Sequence, residues 1–173
     1  MSRFGAFAAA VLVLFVVTPA WADDPSLSIG ANQAFLAANA KKEGVEVRPS
    51  GLQYRIISNG FGAQPKPGDS VDVYYTGSLI NGKVFDKTEP GLPATFTAGK
   101  GKLIPGWDEA LQIMREGDHW QLVIPADLAY GARGAGGVIP PNQTLVFDMQ
   151  LVKVTPAPKD QQDQDQDQDQ SSQ

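Results

Sequence analysis

The chain of 173 residues reads as an α+β protein: an antiparallel β-sheet wrapped around one short amphipathic α-helix, with a short N-terminal helix before it and a disordered acidic tail after it. Three observations predict this. From Val47 onward, short runs alternate apolar and polar residues and are bounded by Gly, Pro and Asn. Within that region one stretch alone, "KLIPGWDEALQIM" from Lys102 to Met114, carries helical spacing over a useful length. The chain then closes on "KDQQDQDQDQDQSSQ", which has no apolar side chain to bury and so cannot offset the entropy of ordering.

Residues 1–22 fit a secretory signal peptide: Arg3, an apolar run from Ala6 to Val17, and Ala20-Trp21-Ala22 as a small-x-small cleavage site. The run is short for a membrane span, so no stable membrane insertion is expected after cleavage, and the mature chain is expected to be exported to the periplasm. Residues 23–46 form an N-terminal extension. Its "ANQAFLAANAKKE" carries a short helix signal, with Phe35 and Leu36 as the main apolar anchors and Gly44 as a stop.

The domain proper spans residues 47–156. Leu52, Tyr54 and Ile56 alternate against Gln53, Arg55 and Ile57, and Val71, Val73 and Tyr75 against Asp72, Tyr74 and Thr76, as in half-buried strands. Asn81-Gly82 marks a hairpin. Trp107, Ala110, Leu111 and Met114 lie at i, i+3, i+4 and i+7 on one helix face, while Asp108 and Glu109 occupy the first turn, where the helix dipole favours acids. Further strands are expected in "ATFTA", "HWQLVIP" and "TLVFDMQLVKV", the last with Leu145, Phe147, Met149 and Leu151 on one face. Between the last two lies "PADLAYGARGAGGVIPPNQ", too rich in Gly and Pro for regular structure; Tyr130, Val138 and Ile139 should anchor it as a folded flap. Residues 157–173 are the tail.

Composition excludes several chemistries. The net charge of −5 is concentrated in the tail, where Asp160, Asp163, Asp165, Asp167 and Asp169 follow the last base, Lys159. The domain itself is near neutral and has no basic cluster, so nucleic acid is not an expected partner. With one histidine and no cysteine, neither a structural zinc site nor a thiol nucleophile is available, and no cofactor is expected. His119 opens a strand and no G-x-S-x-G elbow occurs, which argues against a serine hydrolase. Asp86 has no evident second carboxylate for glycoside chemistry.

What remains is an apolar, aromatic-rich set with one acid and one or two phenols. "VYYTGSLINGKVFD", "IPGWDEAL" and "LAYGARGAGGVIPPNQTLVFDMQL", in this order and spacing, resemble the FKBP-type peptidyl-prolyl cis-trans isomerase domain over Val45 to Thr155. The lead-in "KKEGVEVRPSGLQYRII" resembles the exported macrophage infectivity potentiator branch. The resemblance implies isomerisation of X-Pro bonds during folding of exported proteins, with a non-catalytic proline-binding module or periplasmic holdase as the alternative. It implies catalytic roles for Tyr75, Asp86 and Tyr130 and a proline pocket made by Phe85, Leu103, Ile104, Trp107, Ile139 and Phe147. In this reading Trp107 is the platform under the prolyl ring, and the Ile104 N–H and Tyr130 hydroxyl meet substrate carbonyls.

Implied partners are proline-containing polypeptides and macrolides of the tacrolimus or rapamycin type. Three departures bear on the latter: Ala94 stands where small cytosolic members carry a pocket phenylalanine, no arginine lies in "DKTEPGLPA" to hold Asp86, with Lys87 the nearest base, and Ala135 replaces a common histidine. The long dimerisation helix of the infectivity potentiators is missing, so a monomer is expected.

Overall fold

The computed structural model describes residues 24–158, so the signal peptide and all but the first two residues of the expected tail lie outside the described residues. The elements in chain order are helix α1 (Ile29–Asn39), strands β1 (Val45–Val47), β2 (Gln53–Ser58), β3 (Ser70–Leu79), β4 (Val84–Lys87) and β5 (Ala94–Thr97), helix α2 (Pro105–Leu111), and strands β6 (His119–Ile124) and β7 (Leu145–Thr155). All pairings are antiparallel, in the order β1-β2-β6-β7-β3-β4, and β5 pairs with the first half of the β3 edge that β4 joins further along. The two longest strands, β3 and β7, lie side by side and carry the core: Val71 and Val73 on one, Leu145, Phe147, Met149 and Leu151 on the other.

Helix α2 buries the expected stripe against this face. Trp107, Ala110, Leu111 and Met114 are all buried, although Met114 lies past the helix end and is held by its N–H donating to the Ala110 carbonyl. Gly106 lets the helix sit this close: a Cβ there would come within 2.5 Å of Ile124 Cγ2 on β6. The β3–β4 hairpin closes through Leu79 and Lys83, with Gly82 at φ +84° as the left-handed third residue of the loop. On β7 the alternation slips after Leu151. A bulge opposite Asp72 and Val73 makes Val152 the extra residue, so Val154 rather than Lys153 turns inward.

The N-terminal extension is anchored differently from the expectation. Phe35 and Leu36 are only half-buried; the buried side chains of α1 are Asn32 and Asn39. Asn32 accepts from the Thr144 N–H (2.7 Å) and donates to the Leu27 and Ser28 carbonyls and to Gln143 (3.3 Å). Asn39 donates to Gln53 Oε1 at 2.9 Å, and the Gln53 amide donates to the Leu36 carbonyl at 3.1 Å. Gln53, read as an outward strand residue, is therefore buried beneath α1. A helix with so little apolar surface docks by satisfying buried amides rather than by burying a stripe.

Two further expectations are corrected. Ile56, read as facing inward with Leu52 and Tyr54, is 39% exposed, because β2 runs past the end of β1 and bulges at Ile57. Val138 does not anchor the flap, being 47% exposed. The flap is instead pinned by buried Ile139, whose N–H donates to the Ala135 carbonyl while its own carbonyl accepts from the Ala135 N–H.

Candidate active site

Trp107 is the third residue of α2, two after Pro105, which suits the first helical position, and Ile104 is the N-cap in extended geometry. The loop before the helix is braced by Asp108. Its two carboxylate oxygens each accept a backbone N–H at 3.0 Å, one from Gly99 and one from Gly101. The acid read as a helix-start residue thus also fixes the segment that delivers Leu103 and Ile104. Glu109 is tied to Arg48 at 3.2 Å.

Around Trp107 stand three rings at steep angles: Tyr75 at 5.0 Å and 82°, Phe147 at 5.2 Å and 79°, and Phe96 at 5.3 Å and 83°. Phe85 meets Phe147 edge-on at 5.7 Å and 87°. Edge-to-face packing of this kind is the favoured arrangement for neighbouring aromatics. It leaves a cavity of about 470 Å³, floored by Trp107 and walled by the other rings with Leu103, Ile104 and Pro105. That volume falls within the range of small-molecule sites. Trp107 is only 4% exposed, so it is a core residue and the cavity floor at once. The rings also lean on a bare strand position: a Cβ on Gly77 of β3 would lie 2.7 Å from Phe147 Cε1 and 2.7 Å from Phe85 Cζ.

The polar groups collect at the rim. The Tyr75 hydroxyl donates to Asp86 Oδ2 at 2.6 Å, and the Lys87 N–H donates to Asp86 Oδ1 at 2.9 Å. Both oxygens of the carboxylate are thus oriented by fixed donors, one of them main chain, in a site that has no arginine. Burial, then the hydrogen bond to Asp86, hold the Tyr75 phenol well above the ordinary tyrosine range, so it remains a proton donor at neutral pH. Burial and then the Asp86 charge raise Tyr130 as well; its side chain is 41% exposed and lines the cavity from the flap. The Ile104 N–H has no hydrogen-bond partner among the described residues.

Of the nine residues singled out from sequence, eight line this one cavity: Tyr75, Phe85, Asp86, Leu103, Ile104, Trp107, Tyr130 and Phe147. Ile139 is not among the lining residues; it is 6% exposed and belongs to the same buried core cluster as Trp107 and Phe147. Phe96 was missed. It sits two residues after Ala94 on β5, and the alternation of "ATFTA" puts both on one face, so Phe96 supplies an aromatic wall next to the Ala94 position. Lys102 and Ala129 complete the rim.

Comparison with known proteins identifies the family. The family model described as "FKBP-type peptidyl-prolyl cis-trans isomerase" matches residues 62–152, and the model for the domain amino-terminal to such isomerases matches residues 25–56. The chain is 55% identical over 125 residues to the outer membrane protein MIP of Legionella longbeachae, covering 72% of this chain and 53% of that protein. It is 52% identical over 121 residues to the FKBP-type 22 kDa peptidyl-prolyl cis-trans isomerase of Escherichia coli, covering 69% and 58%. Thus the chain spans little more than half the length of these curated relatives. Among solved structures, FkpA from Escherichia coli superposes with a TM-score of 0.70 at 43% identity, covering 75% of this chain and 60% of that one. The peptidyl-prolyl cis-trans isomerase from Pseudomonas syringae pv. tomato superposes at 0.69 with 38% identity, covering 74% and 93%. With a family model matching more than half of its length and an aromatic cavity where the motifs converge, this chain belongs to the FKBP-type peptidyl-prolyl cis-trans isomerase family.

Proposed function

We propose that the chain accelerates cis-trans isomerisation of X-Pro bonds in exported polypeptides, and that it does so without a covalent intermediate. The observation that carries this reading is the aromatic cavity on Trp107 with the locked Tyr75–Asp86 pair at its mouth. Resonance makes rotation about a peptide bond cost about 18–20 kcal/mol, and X-Pro bonds consequently isomerise in roughly tens to hundreds of seconds unaided. The enzyme need only favour the twisted amide. In that state resonance is lost, the carbonyl is less polar and the nitrogen pyramidal, so a dry apolar enclosure stabilises it relative to the planar form. Each tenfold in rate requires about 1.4 kcal/mol of such differential stabilisation.

Trp107, Phe85, Phe96, Phe147 and Tyr75 enclose the prolyl ring. The Ile104 N–H and Tyr130 hydroxyl donate to substrate carbonyls, fixing the chain on either side of the bond. Asp86, held by Tyr75 and the Lys87 amide, presents its charge to the rotating carbonyl. The alternating-ring wall also suits macrolide ligands, with Phe96 compensating in part for Ala94. The leader sequence and the name of the Legionella relative support export to the periplasm, and we take the working form to be a monomer.

A protease-coupled assay on Leu-Pro and Phe-Pro peptides tests the reading. Catalysis of cis-to-trans conversion is expected. A folded protein that binds such peptides yet gives no rate above background would instead be a proline-binding module.

A further inference from the structure

Phe61 is the most exposed large apolar side chain among the described residues, at 94%, yet its backbone is clamped. On one side the Gly60 N–H donates to Asp118 Oδ1 at 2.6 Å; on the other the Gly62 N–H donates to the Glu116 carbonyl at 3.0 Å. Neither flanking position has room for a side chain: a Cβ on Gly60 would meet the Glu116 carbonyl oxygen at 2.3 Å, and one on Gly62 the Glu116 Cβ at 2.7 Å. Asp118 is itself buried and its other oxygen accepts from the Arg115 N–H at 2.7 Å. The ring is therefore presented to solvent from a rigid base. Beside it, Tyr54 and Trp120 stack at 4.5 Å and 10°, and with Ile56 and Phe61 they line a groove of about 440 Å³.

This groove is linked to the Trp107 cavity through lining residues shared with a third pocket. That pocket, along the flank of α2, shares Leu103 and Pro105 with the cavity and shares Arg48 and Ile113 with the Phe61 groove. Among the described residues, moreover, β1 pairs with β2 only as far as Arg55, so the β2 main chain at Ile56 borders the groove as an open strand edge. The chain's own tail is a poor occupant, because residues 159–173 contain no apolar side chain.

We propose that an unfolded polypeptide, with its proline in the Trp107 cavity, crosses the flank of α2 and anchors an apolar side chain against Phe61 and the Tyr54–Trp120 stack. This rests on the isomerase reading and extends it: the surface selects long, apolar, unfolded chains over short peptides. Anchoring a second segment of one chain raises its effective concentration at the cavity. An aromatic held in one place contributes to this at little entropic cost.

The test compares wild type with Phe61→Ser, whose exposed site puts no demand on the fold. Two probes are used: a fluorescently labelled, permanently unfolded carboxymethylated protein, read by anisotropy, and a short Phe-Pro peptide, read by isomerisation. Phe61→Ser should weaken binding of the unfolded chain about tenfold, ~1.4 kcal/mol. It should also raise KM but not kcat for catalysed refolding of a proline-limited protein, and leave short-peptide kcat/KM within about twofold. Unchanged binding of the unfolded chain would overturn the proposal, as would equal losses on both probes. Sedimentation showing a dimer that Phe61→Ser dissolves would assign the surface to a second copy and equally overturn it. If folded wild type fails to turn over the short peptide, the isomerase reading falls, while the binding comparison still decides the groove.

Discussion

Gly77→Ala adds one methyl group under the cavity, and the structure sets its effect. The new Cβ would lie 2.7 Å from Phe147 Cε1, 2.7 Å from Phe85 Cζ and 2.8 Å from Phe85 Cε2. Carbon atoms pack at roughly 3.5–4.0 Å, so both rings must withdraw by about 1 Å, and the side open to them is the cavity. Overpacking of this size typically costs about 1–3 kcal/mol, which at about 4 °C per kcal/mol for a domain of this length lowers Tm by roughly 4–12 °C. The effect on turnover should be larger. A displacement of about 1 Å in substrate-positioning groups can cost on the order of 100-fold, so kcat/KM on a short X-Pro peptide should fall by about 10- to 100-fold. Val154→Ala is the comparison, because it removes buried volume at the far end of β7 and destabilises without touching the cavity. Activity in Gly77→Ala within about twofold of wild type, or a loss no greater than in a Val154→Ala protein of equal Tm, would refute the claim that Gly77 sets the position of the two rings.

Three other outcomes are expected. Burial, then the bond to Asp86, raises Tyr75, and burial, then the bond to Glu46, pushes Tyr54 up to about 12, so the native state keeps protons that the unfolded chain releases above pH ~10. Stability should accordingly be insensitive to these groups up to pH ~9 and decline above pH ~10, and denaturation midpoints measured against pH should fall less steeply in Tyr75→Phe and Tyr54→Phe. Asn32→Ala leaves the buried Thr144 N–H without its acceptor and Gln143 Oε1 without its donor, and denaturant titration should show a loss of roughly 2–3 kcal/mol with α1 detached but short-peptide turnover retained. Deleting residues 159–173 should change neither turnover nor sedimentation mass; a shift in either would mean that the tail packs or assembles.

Much of this site was legible because its residues are locally marked. The helical stripe from Trp107 to Met114, the alternation of β7 and the Asn81-Gly82 turn each depend on neighbours within a few positions, and the structure keeps them. The misses share a different cause. Whether Gln53 is buried depends on Asn39, and whether Asn32 is buried depends on Gln143 and Thr144, which are remote in sequence. The inward turn of Val154, on which the sequence is silent, follows from a bulge in the β3–β7 pairing that strand period alone cannot locate. Ile139 matched a pocket motif and is buried in the core cluster without being among the residues that line the cavity, a detail that a motif does not carry. Phe96 and Gly77 could have been found: one shares its strand face with Ala94, and the other is a lone glycine inside a strand, which signals close approach by another group.

The central claim is that the Trp107 cavity and the Asp86 carboxylate at its mouth catalyse X-Pro rotation, and exchange NMR tests it without a coupling protease. A short Phe-Pro peptide with catalytic amounts of protein should give cis-trans exchange cross-peaks at mixing times near one second, where the uncatalysed process takes roughly tens to hundreds of seconds. Trp107→Leu retains an apolar side chain in the α2 stripe but removes the indole floor, and Asp86→Asn removes only the charge. Both should weaken the cross-peaks by far more than Val154→Ala of matched Tm. Strong exchange that survives both substitutions in folded protein, or no exchange from folded wild type, would contradict the account.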